Sequence, residues 1–566
     1  MTNGDLAPLF AALTEHFRRS AANFHMPGHK GGRGLPPELA GLDVSELVGL
    51  DLTELPGLDD LHLPQDVIAR AQELTAAVYG AARSFFLVNG STVGIHALLL
   101  AFCGDGGKVL LPRHCHRSVL GGLILSGAEP VYQKPLVSER FGFAAGVTPE
   151  QVAGALAGCD DLAAVLTVRP NYYGVADDLI GQVQAAHKAG LPMLVDEAHG
   201  AHLRFHSQLP LDAMACGADA SVQSAHKMSL AFTQSAMLHL GHGSPEPETE
   251  IFDFGKVVAS DMQGAYSGTQ LSDARKLTQP KAKKTGPDPG EGFFDFGKAA
   301  TSDAQGAYSS TQLSGARKLT QPKAKKTSPG KVAAALDLLQ TTSPSYLLLA
   351  SLDLARRQMA LHGAEDLEVV LQLTRRTRRR LTQIKGLTVL TEEHLPPGWS
   401  LDGTKLVVAV DGLGLSGYQV LDLLAQRYNI YIEMADQVNI VAFFAPATTP
   451  EECDALVAAM EDIAARERLS AASVHRLPSA EIPEPVLRMK PRDAWFAATE
   501  SVPLAESGGR ICADTVAVYP PGIPAICPGE EITPATLEYL IAAQKLGLPC
   551  HGSSDPVLKT IRVVIE

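Results

Sequence analysis

The sequence predicts an α/β protein in which helices cover both faces of a mainly parallel sheet. Short apolar runs alternate with longer helical stretches between about residues 80 and 240 of the 566-residue chain. Six of these runs are almost entirely apolar, as expected for strands that are buried on both faces. Hydrophobic residues make up 45% of the chain and charged residues 19%, which excludes disorder for the chain as a whole.

The predicted strands of this sheet cover residues 84–88, 108–111, 163–168, 192–195, 220–223 and 236–240. A second region begins near residue 360 with a predicted helix over 367–384. Strands follow over 405–410, 429–433 and 438–444, a pattern that indicates a smaller α+β unit.

These patterns divide the chain into five segments. They are an N-terminal helical segment (1–23), a large domain (24–245), an insertion (246–329), the remainder of the large domain (330–360) and a C-terminal small domain (361–566).

The insertion contains an internal duplication. Residues 252–285 return as 294–327 at an offset of 42, with 28 of 34 positions identical. Two copies are fewer than the roughly three that a solenoid needs to bury its faces. Because the segment is also poor in apolar residues, we expect a flexible duplicated insertion, with a partner-binding loop as the alternative.

Charge and cysteine content exclude several classes of protein. The formal net charge is −14, so the basic surface that nucleic acid requires is missing. We find neither a membrane-spanning apolar run nor a signal peptide, and we expect a cytoplasmic protein. The eight cysteines form no CxxC pair, which favours reduced thiols and predicts no structural metal.

Polar residues follow the predicted strands at one edge of the sheet, where ligands of open parallel sheets bind. The turn 89–94 (NGSTVG) precedes a helical run, and its small residues and hydroxyls suit a bound phosphate. An ordinary strand-to-helix turn with a hydroxyl cap is the commoner structure for such a stretch.

Asp196 and Lys227 end two further predicted strands. A carboxylate that pairs with a protonated pyridine nitrogen and a partly buried lysine that forms a Schiff base are the minimal set for pyridoxal phosphate. Either residue alone is more often a solvated loop residue.

Two other chemistries are weaker. The tetrad DEAH at 196–199 is also found in helicases, but the phosphate loop GxxxxGK[ST] is absent, because no Gly-Lys pair is followed by Ser or Thr. His114, Cys115 and His116 are adjacent and point in different directions, so metal binding is disfavoured. His116 is better placed to lie flat against a cofactor ring.

Eight motifs in order resemble the ornithine/lysine/arginine decarboxylases, which belong to the aspartate-aminotransferase-like fold type I class of pyridoxal-phosphate enzymes. They are FHMPGHKGG (24–32), LDDLHLP (58–64), NGST (89–92), HRS (116–118), DEAH (196–199), SAHK (224–227), QTTSPSY (340–346) and YPPGIP (519–524). The chain resembles the short members of the family, which lack an N-terminal flavodoxin-like domain.

The resemblance implies a role for each matching residue. Lys227 is the Schiff-base lysine, Asp196 the partner of the pyridinium nitrogen and His116 the residue stacked on the ring. The remaining cofactor-binding residues that it implies are Ser91, Thr92, His199, Ser224 and His226, with Thr342 reaching the phosphate of a neighbouring subunit. A homodimer or higher homo-oligomer with shared active sites is therefore implied.

The implied reaction is decarboxylation of a basic L-amino acid to an amine of polyamine biosynthesis, with arginine favoured over lysine or ornithine. Lys227 and His226 are the candidates for protonating Cα. Glu433, Asp436 and Glu530 are candidate partners of the cationic substrate side chain. The alternatives are a fold type I aminotransferase or other pyridoxal-phosphate reaction and, more distantly, a DEAH-box NTPase or a non-enzymatic scaffold.

Overall fold

The computed structural model describes residues 8–19, 21–104, 106–242, 329–467, 483–518, 523–548 and 550–565. The duplicated insertion lies outside these ranges apart from Pro329, and so do four residues of the YPPGIP motif. All described residues belong to one contact unit.

A seven-stranded sheet forms the centre of the fold. From edge to edge it contains Arg83–Leu87, Ala236–Leu240, Ala220–Gln223, Met193–Asp196, Leu162–Val168, Lys108–Pro112 and Glu129–Gln133. Ala236–Leu240 pairs antiparallel with both neighbours, while the other neighbouring pairs are parallel. The mainly parallel sheet is therefore confirmed, and the six predicted strands lie within two residues of their predicted bounds.

Helices pack on both faces of this sheet and cover its apolar side chains. In chain order they are Val67–Tyr79, Gly90–Cys103, Arg117–Ser126, Pro149–Ala157, Leu179–Lys188, Ala225–Met228 and Pro329–Leu339. The N-terminal region adds Pro8–Arg18, Pro37–Ala40 and Val44–Gly49.

One long helix, Tyr346–Thr382, begins 21 residues before the predicted helix 367–384. Its first half packs Leu349, Leu352 and Met359 into a core beside the central sheet. Its second half contributes Val370 and Leu381 to the core of the second sheet. The helix therefore connects two cores that the sequence presents as separate regions.

The second sheet is antiparallel and has the order Thr388–Val389, Lys405–Ala409, Asn439–Phe443 and Met434–Ala435, with helices Gly417–Tyr428 and Pro450–Glu467. Ala22–Phe24, from the N-terminal region, pairs in parallel with Ile430–Ile432. This pairing carries the start of the FHMPGHKGG motif toward the second sheet.

The C-terminal residues form further small sheets around a core of their own. Thr499–Pro503 pairs with Thr560–Val564, and Val516–Val518 lies between Ile523–Ile526 and Cys550–His551, with helices Pro491–Phe496 and Pro534–Lys545. The described residues of 361–566 thus contribute to several cores, and the five-segment division stays a prediction. Four short strands form two further pairs, Leu136–Val137 with Ala144–Gly146 and Val175–Ala176 with Ser400–Leu401.

Candidate active site

Lys227 lies in the short helix Ala225–Met228, directly after the strand Ala220–Gln223. Its Nζ is 3.0 Å from Nε2 of His199 and 6.0 Å from the ring centre of Tyr172. Burial lowers the pKa of Lys227, although Asp196 and Glu433 oppose the shift. A larger fraction of the lysine is consequently an uncharged amine, the form that attacks a carbonyl carbon.

Asp196 is the last residue of the neighbouring parallel strand Met193–Asp196, and it is 4% exposed. Its Oδ1 accepts a hydrogen bond from the amide of Ala198 at 3.2 Å. Burial raises the pKa of Asp196, and the charge of Lys227 opposes that rise. A buried carboxylate of this kind is stabilised by a cationic partner such as a protonated pyridine nitrogen.

His116 precedes the helix Arg117–Ser126 and caps its N-terminus. Its Nδ1 accepts hydrogen bonds from the amide of Ser118 at 3.2 Å and lies 2.8 Å from the hydroxyl of the same residue. Burial, with a smaller contribution from Lys227, lowers the pKa of His116 to about 4. The imidazole is therefore neutral at pH 7 and its ring orientation is fixed, which suits stacking on a flat ring.

The predicted phosphate ligands lie on two adjacent turns. Ser91 and Thr92 begin the helix Gly90–Cys103, and the hydroxyl of Ser224 donates to that of Ser91 at 2.8 Å. The Nδ1 of His226 lies 3.0 Å from the carbonyl oxygen of Ser235. Hydroxyls that converge on a helix N-terminus form a set of donors for a phosphate.

Thr342 is exposed in the turn between the helices Pro329–Leu339 and Tyr346–Thr382. The amide of the preceding residue, Thr341, donates to the side chain of Asn89 at 3.3 Å. The turn therefore lies beside the NGST turn of its own chain, and the reach of Thr342 into a neighbouring subunit stays a prediction.

His199 lies between Lys227 and Phe443. Its ring makes edge contacts with Tyr172 at 4.9 Å and with Phe443 at 5.7 Å, measured between ring centres. Burial and the nearby charge of Lys227 hold the pKa of His199 well below its usual value. Its Nδ1 is buried and makes no hydrogen bond within the described residues. His199 is thus a neutral, incompletely bonded group next to Lys227.

The three acidic residues that are candidates for binding the substrate's cationic side chain differ in their surroundings. Glu433 accepts a hydrogen bond from the amide of Met26 at 2.8 Å and acts electrostatically on Lys227. Asp436 accepts from the hydroxyl of Tyr173 at 2.8 Å, and Glu530 forms a buried ion pair with Arg113 at 2.5 Å. Of the three, Glu433 is the one whose charge raises the pKa of Lys227.

Gly28 brings the FHMPGHKGG motif next to Lys227 in space, although the two are far apart in the sequence. Its amide donates to the carbonyl of His226 at 3.0 Å. A Cβ at this position would lie 2.7 Å from the carbonyl oxygen of Lys227. Only glycine allows the N-terminal motif to pack this closely on the turn that carries the lysine.

Sequence reasoning assigned no role to Tyr172 and did not select Lys405. Tyr172 follows the strand Leu162–Val168 at the polar edge of the sheet, so its position was a usable signal. Lys405 begins a strand of the second sheet and carries no pattern that marks it as a site residue.

The donor set fits pyridoxal 5'-phosphate. A buried lysine amine, a buried carboxylate, a neutral imidazole and a hydroxyl-lined helix start meet at the carboxyl edge of one parallel sheet. This fold and this site define the class of fold type I pyridoxal-phosphate enzymes.

Comparison with known proteins gives the family. A family model described as the major domain of Orn/Lys/Arg decarboxylase matches residues 7–257, and one described as its C-terminal domain matches 475–552. Arginine decarboxylase of Bacillus subtilis (strain 168) is 35% identical over 99% of this chain and 98% of its own length. Arginine decarboxylase of Bacillus anthracis is also 35% identical, over 99% and 97%. The chain belongs to the Orn/Lys/Arg decarboxylase family and is a pyridoxal-phosphate-dependent decarboxylase.

Solved structures agree on the fold. Lysine decarboxylase A of Pseudomonas aeruginosa has a TM-score of 0.67 at 20% identity and is matched over 99% of this chain and 81% of its own. The Francisella novicida lysine decarboxylase gives 0.66 at 17% identity, over 99% and 81%. Among the helices of the described ranges, none combines the length and apolar composition that a membrane span requires.

Proposed function

We propose that this enzyme removes the α-carboxylate of L-arginine and releases CO2 and the corresponding amine, a polyamine precursor. The observation that carries the proposal is the buried Lys227 amine, held against His199 beside the buried Asp196. Identity to arginine decarboxylases over nearly the full chain favours arginine over lysine and ornithine.

When bound, pyridoxal 5'-phosphate supplies an aldehyde that condenses with amines and a ring that accepts the electron pair left by the departing carboxylate. Lys227 would hold the aldehyde carbon. Asp196 would keep a proton on the ring nitrogen, and His116 would lie on the ring face. Ser91, Thr92, Ser224 and His226 would bind the phosphate, with Thr342 as the residue that reaches a partner's site.

A proton must reach Cα after CO2 leaves, and Lys227 is the better placed of the two sequence candidates. Its Nζ is hydrogen-bonded to Nε2 of His199, so a proton can be held between these atoms. His226 uses its Nδ1 in a hydrogen bond with the carbonyl of Ser235 and stays the second candidate.

The substrate's guanidinium requires a carboxylate partner. Glu433 supports this role because it faces the same region as Lys227, whereas Asp436 and Glu530 are bonded to Tyr173 and Arg113. Asp436 and Glu530 stay candidates from the sequence.

The test is CO2 release from L-arginine, L-lysine and L-ornithine by the holoenzyme. We expect kcat/KM for arginine to exceed the other two by at least about tenfold, since a fitted cation site discriminates by more than about 1.4 kcal/mol. Glu433→Gln should raise the KM for arginine, and Glu461→Gln, on the exposed face of Pro450–Glu467, is the matched control. Transfer of the amino group to a keto acid without CO2 release would replace decarboxylation with the aminotransferase alternative.

We also propose that the enzyme is a homodimer or a higher homo-oligomer. The segment 44–67 exposes seven large apolar side chains, namely Val44, Val48, Leu50, Leu52, Leu55, Leu63 and Val67. Such a dense exposed set is typical of a surface covered by another subunit. His62 of the same segment binds the carbonyl of Thr341 at 2.8 Å, which connects this surface to the turn that holds Thr342.

Light scattering after gel filtration should give at least twice the 59.9 kDa chain mass. Val48→Asp should shift the protein toward the monomer, because a charge in an apolar interface is left unpaired. Val369→Asp, at an exposed position on the long helix, is the control and should leave the mass unchanged. A monomeric wild type at micromolar concentration would contradict the proposal.

The cytoplasmic location is likewise a proposal. All eight cysteines are free thiols, which supports function in a reducing compartment.

A further inference from the structure

A second lysine, Lys405, is fully buried close to the active site. Its Nζ lies 3.6 Å from a carboxylate oxygen of Asp402, and His202 Nε2 lies 3.2 Å from the same carboxylate. The hydroxyl of Thr404 donates to Asp402 at 2.7 Å. The side chains of Lys405, Asp402 and His202 are all 0% exposed. A buried lysine is costly unless its charge is paired, and in this cluster of His202, Asp402 and Lys405 the carboxylate of Asp402 supplies the pairing.

The cluster supports the loop 171–174. Lys405 Nζ donates to the carbonyl of Asn171 at 3.5 Å, and the amide of Asp402 donates to the carbonyl of Gly174 at 2.8 Å. A Cβ at Gly174 would lie 3.0 Å from the Lys405 side chain, so the loop backbone packs directly on the lysine. This loop carries Tyr172, whose ring contacts His199 and lies near Lys227.

Lys405 also contacts the site through an aromatic ring. Its Nζ is 5.1 Å from the ring centre of Phe443, and that ring packs edge-on against His199. Lys405 therefore contacts Phe443 directly and the loop of Tyr172 through Asn171, and both of these aromatic rings contact His199. Its charge acts through low-dielectric material, where electrostatic interactions are strong.

Lys405 is mainly protonated at neutral pH, because its pKa stays at about 8. Burial lowers the pKa of Lys405 to about 8, and the carboxylate of Asp402 limits the shift. The charge of Lys227 lowers the pKa of Lys405 further, and Lys405 in turn lowers the pKa of His199. The acidic and imidazole groups near these two lysines are Asp196, Asp402, Glu433, His116, His199, His202 and His226. Two further cations lie close: Arg378 donates to the carbonyl of Lys405 at 2.8 Å, and Lys30 Nζ donates to the carbonyl of Phe443 at 3.3 Å.

We propose that Lys405 is a positioning residue of the active site: it is held by Asp402 and His202, it supports the loop that presents Tyr172, and its positive charge acts on the proton carried at Lys227. The inference rests on the proposed function only in that the cofactor is attached at Lys227. It does not depend on which amino acid is the substrate.

The experiment is a pH titration of the absorption spectrum of the holoenzyme, because the Lys227–cofactor linkage absorbs differently with and without its proton. Removing a nearby positive charge makes protonation easier, so Lys405→Met should move the midpoint to higher pH by about one unit. Lys405→Arg keeps the charge and should retain the wild-type midpoint. The double variant Lys405→Met/Asp402→Asn removes both charges of the pair and should return most of the way to it.

The matched control is His187→Gln. His187 also forms a buried pair, at 2.8 Å with Asp219, but Asp219 binds the amide of Met193 at the opposite end of the Asp196 strand. This variant should lower thermal stability without moving the spectral midpoint.

Equal midpoints in wild type and Lys405→Met would overturn the inference while leaving the decarboxylase assignment intact. Shifts of the same sign and size in Lys405→Arg and Lys405→Met would also overturn it, because they indicate a purely structural role. If Lys405→Met does not fold, Lys405→Gln decides in its place, because it removes the charge and keeps a donor for the carbonyl of Asn171. It should show the same shift to higher pH, and an unchanged midpoint would overturn the inference. A wild type without the linkage spectrum would instead overturn the Lys227 assignment and, with it, this inference.

Discussion

Lys227→Ala is expected to lower CO2 release by at least about 10⁴-fold. The variant removes the amine that is proposed both to attach the cofactor and to hold the Cα proton. Both functions depend on one Nζ, so a single substitution removes both. Asp196 also loses the nearby charge of Lys227, which favours the charged form of its carboxylate.

The measurement is CO2 release at saturating arginine and cofactor, together with the absorption spectrum after gel filtration. The variant should lose the spectrum of the covalently attached cofactor while the far-UV circular dichroism is unchanged. Lys188→Ala, at an exposed position that ends the helix Leu179–Lys188, is the matched control and should behave as wild type. Retention of more than about 1% of the activity would show that another residue carries the cofactor.

The central sheet could be predicted because its strands are buried on both faces. Leu162–Val168 and Met193–Asp196 are continuous apolar runs, which is the pattern of a parallel strand covered by helices. The edge strand Glu129–Gln133 was missed because it is half exposed and contains polar residues. The first half of Tyr346–Thr382 was missed, although Leu349, Leu352 and Met359 recur at helical spacing and pack into the core beside the central sheet.

The candidate site was predictable where it depends on this sheet. Asp196 and Ser224 follow neighbouring parallel strands, whose carboxyl ends must converge at one edge. Contacts between different parts of the fold leave no such local pattern. The hydrogen bond between Lys405 and Asn171 joins residues 234 positions apart in the sequence, and the one between Arg113 and Glu530 joins residues 417 positions apart. The positions of such side chains depend on how the sheets pack, which a single sequence does not reveal.

Arg113→Leu is expected to destabilise the fold by about 3–5 kcal/mol, because it leaves the carboxylate of Glu530 buried without its cation. The guanidinium forms two hydrogen bonds with Glu530, at 2.5 and 2.8 Å, and a third with the carbonyl of Ala525 at 3.1 Å. Both side chains are nearly inaccessible, with 6% and 2% exposed. The pair connects the strand Lys108–Pro112 of the central sheet to the C-terminal core, so its loss also loosens the loop that ends in His116.

Urea unfolding of the holoenzyme measures this effect, with the free energy of unfolding taken from the first transition. Arg466→Leu is the matched control, because the exposed pair of Arg466 with Asp462 is screened by solvent and should contribute little to stability. The double variant Arg113→Leu/Glu530→Leu should recover much of the loss, since no buried charge remains. A loss below about 1 kcal/mol for Arg113→Leu would mean that Glu530 finds another partner. Glu530 would then return as a candidate for the substrate cation, and the kcat/KM of Glu530→Gln for arginine against that of wild type would decide its role.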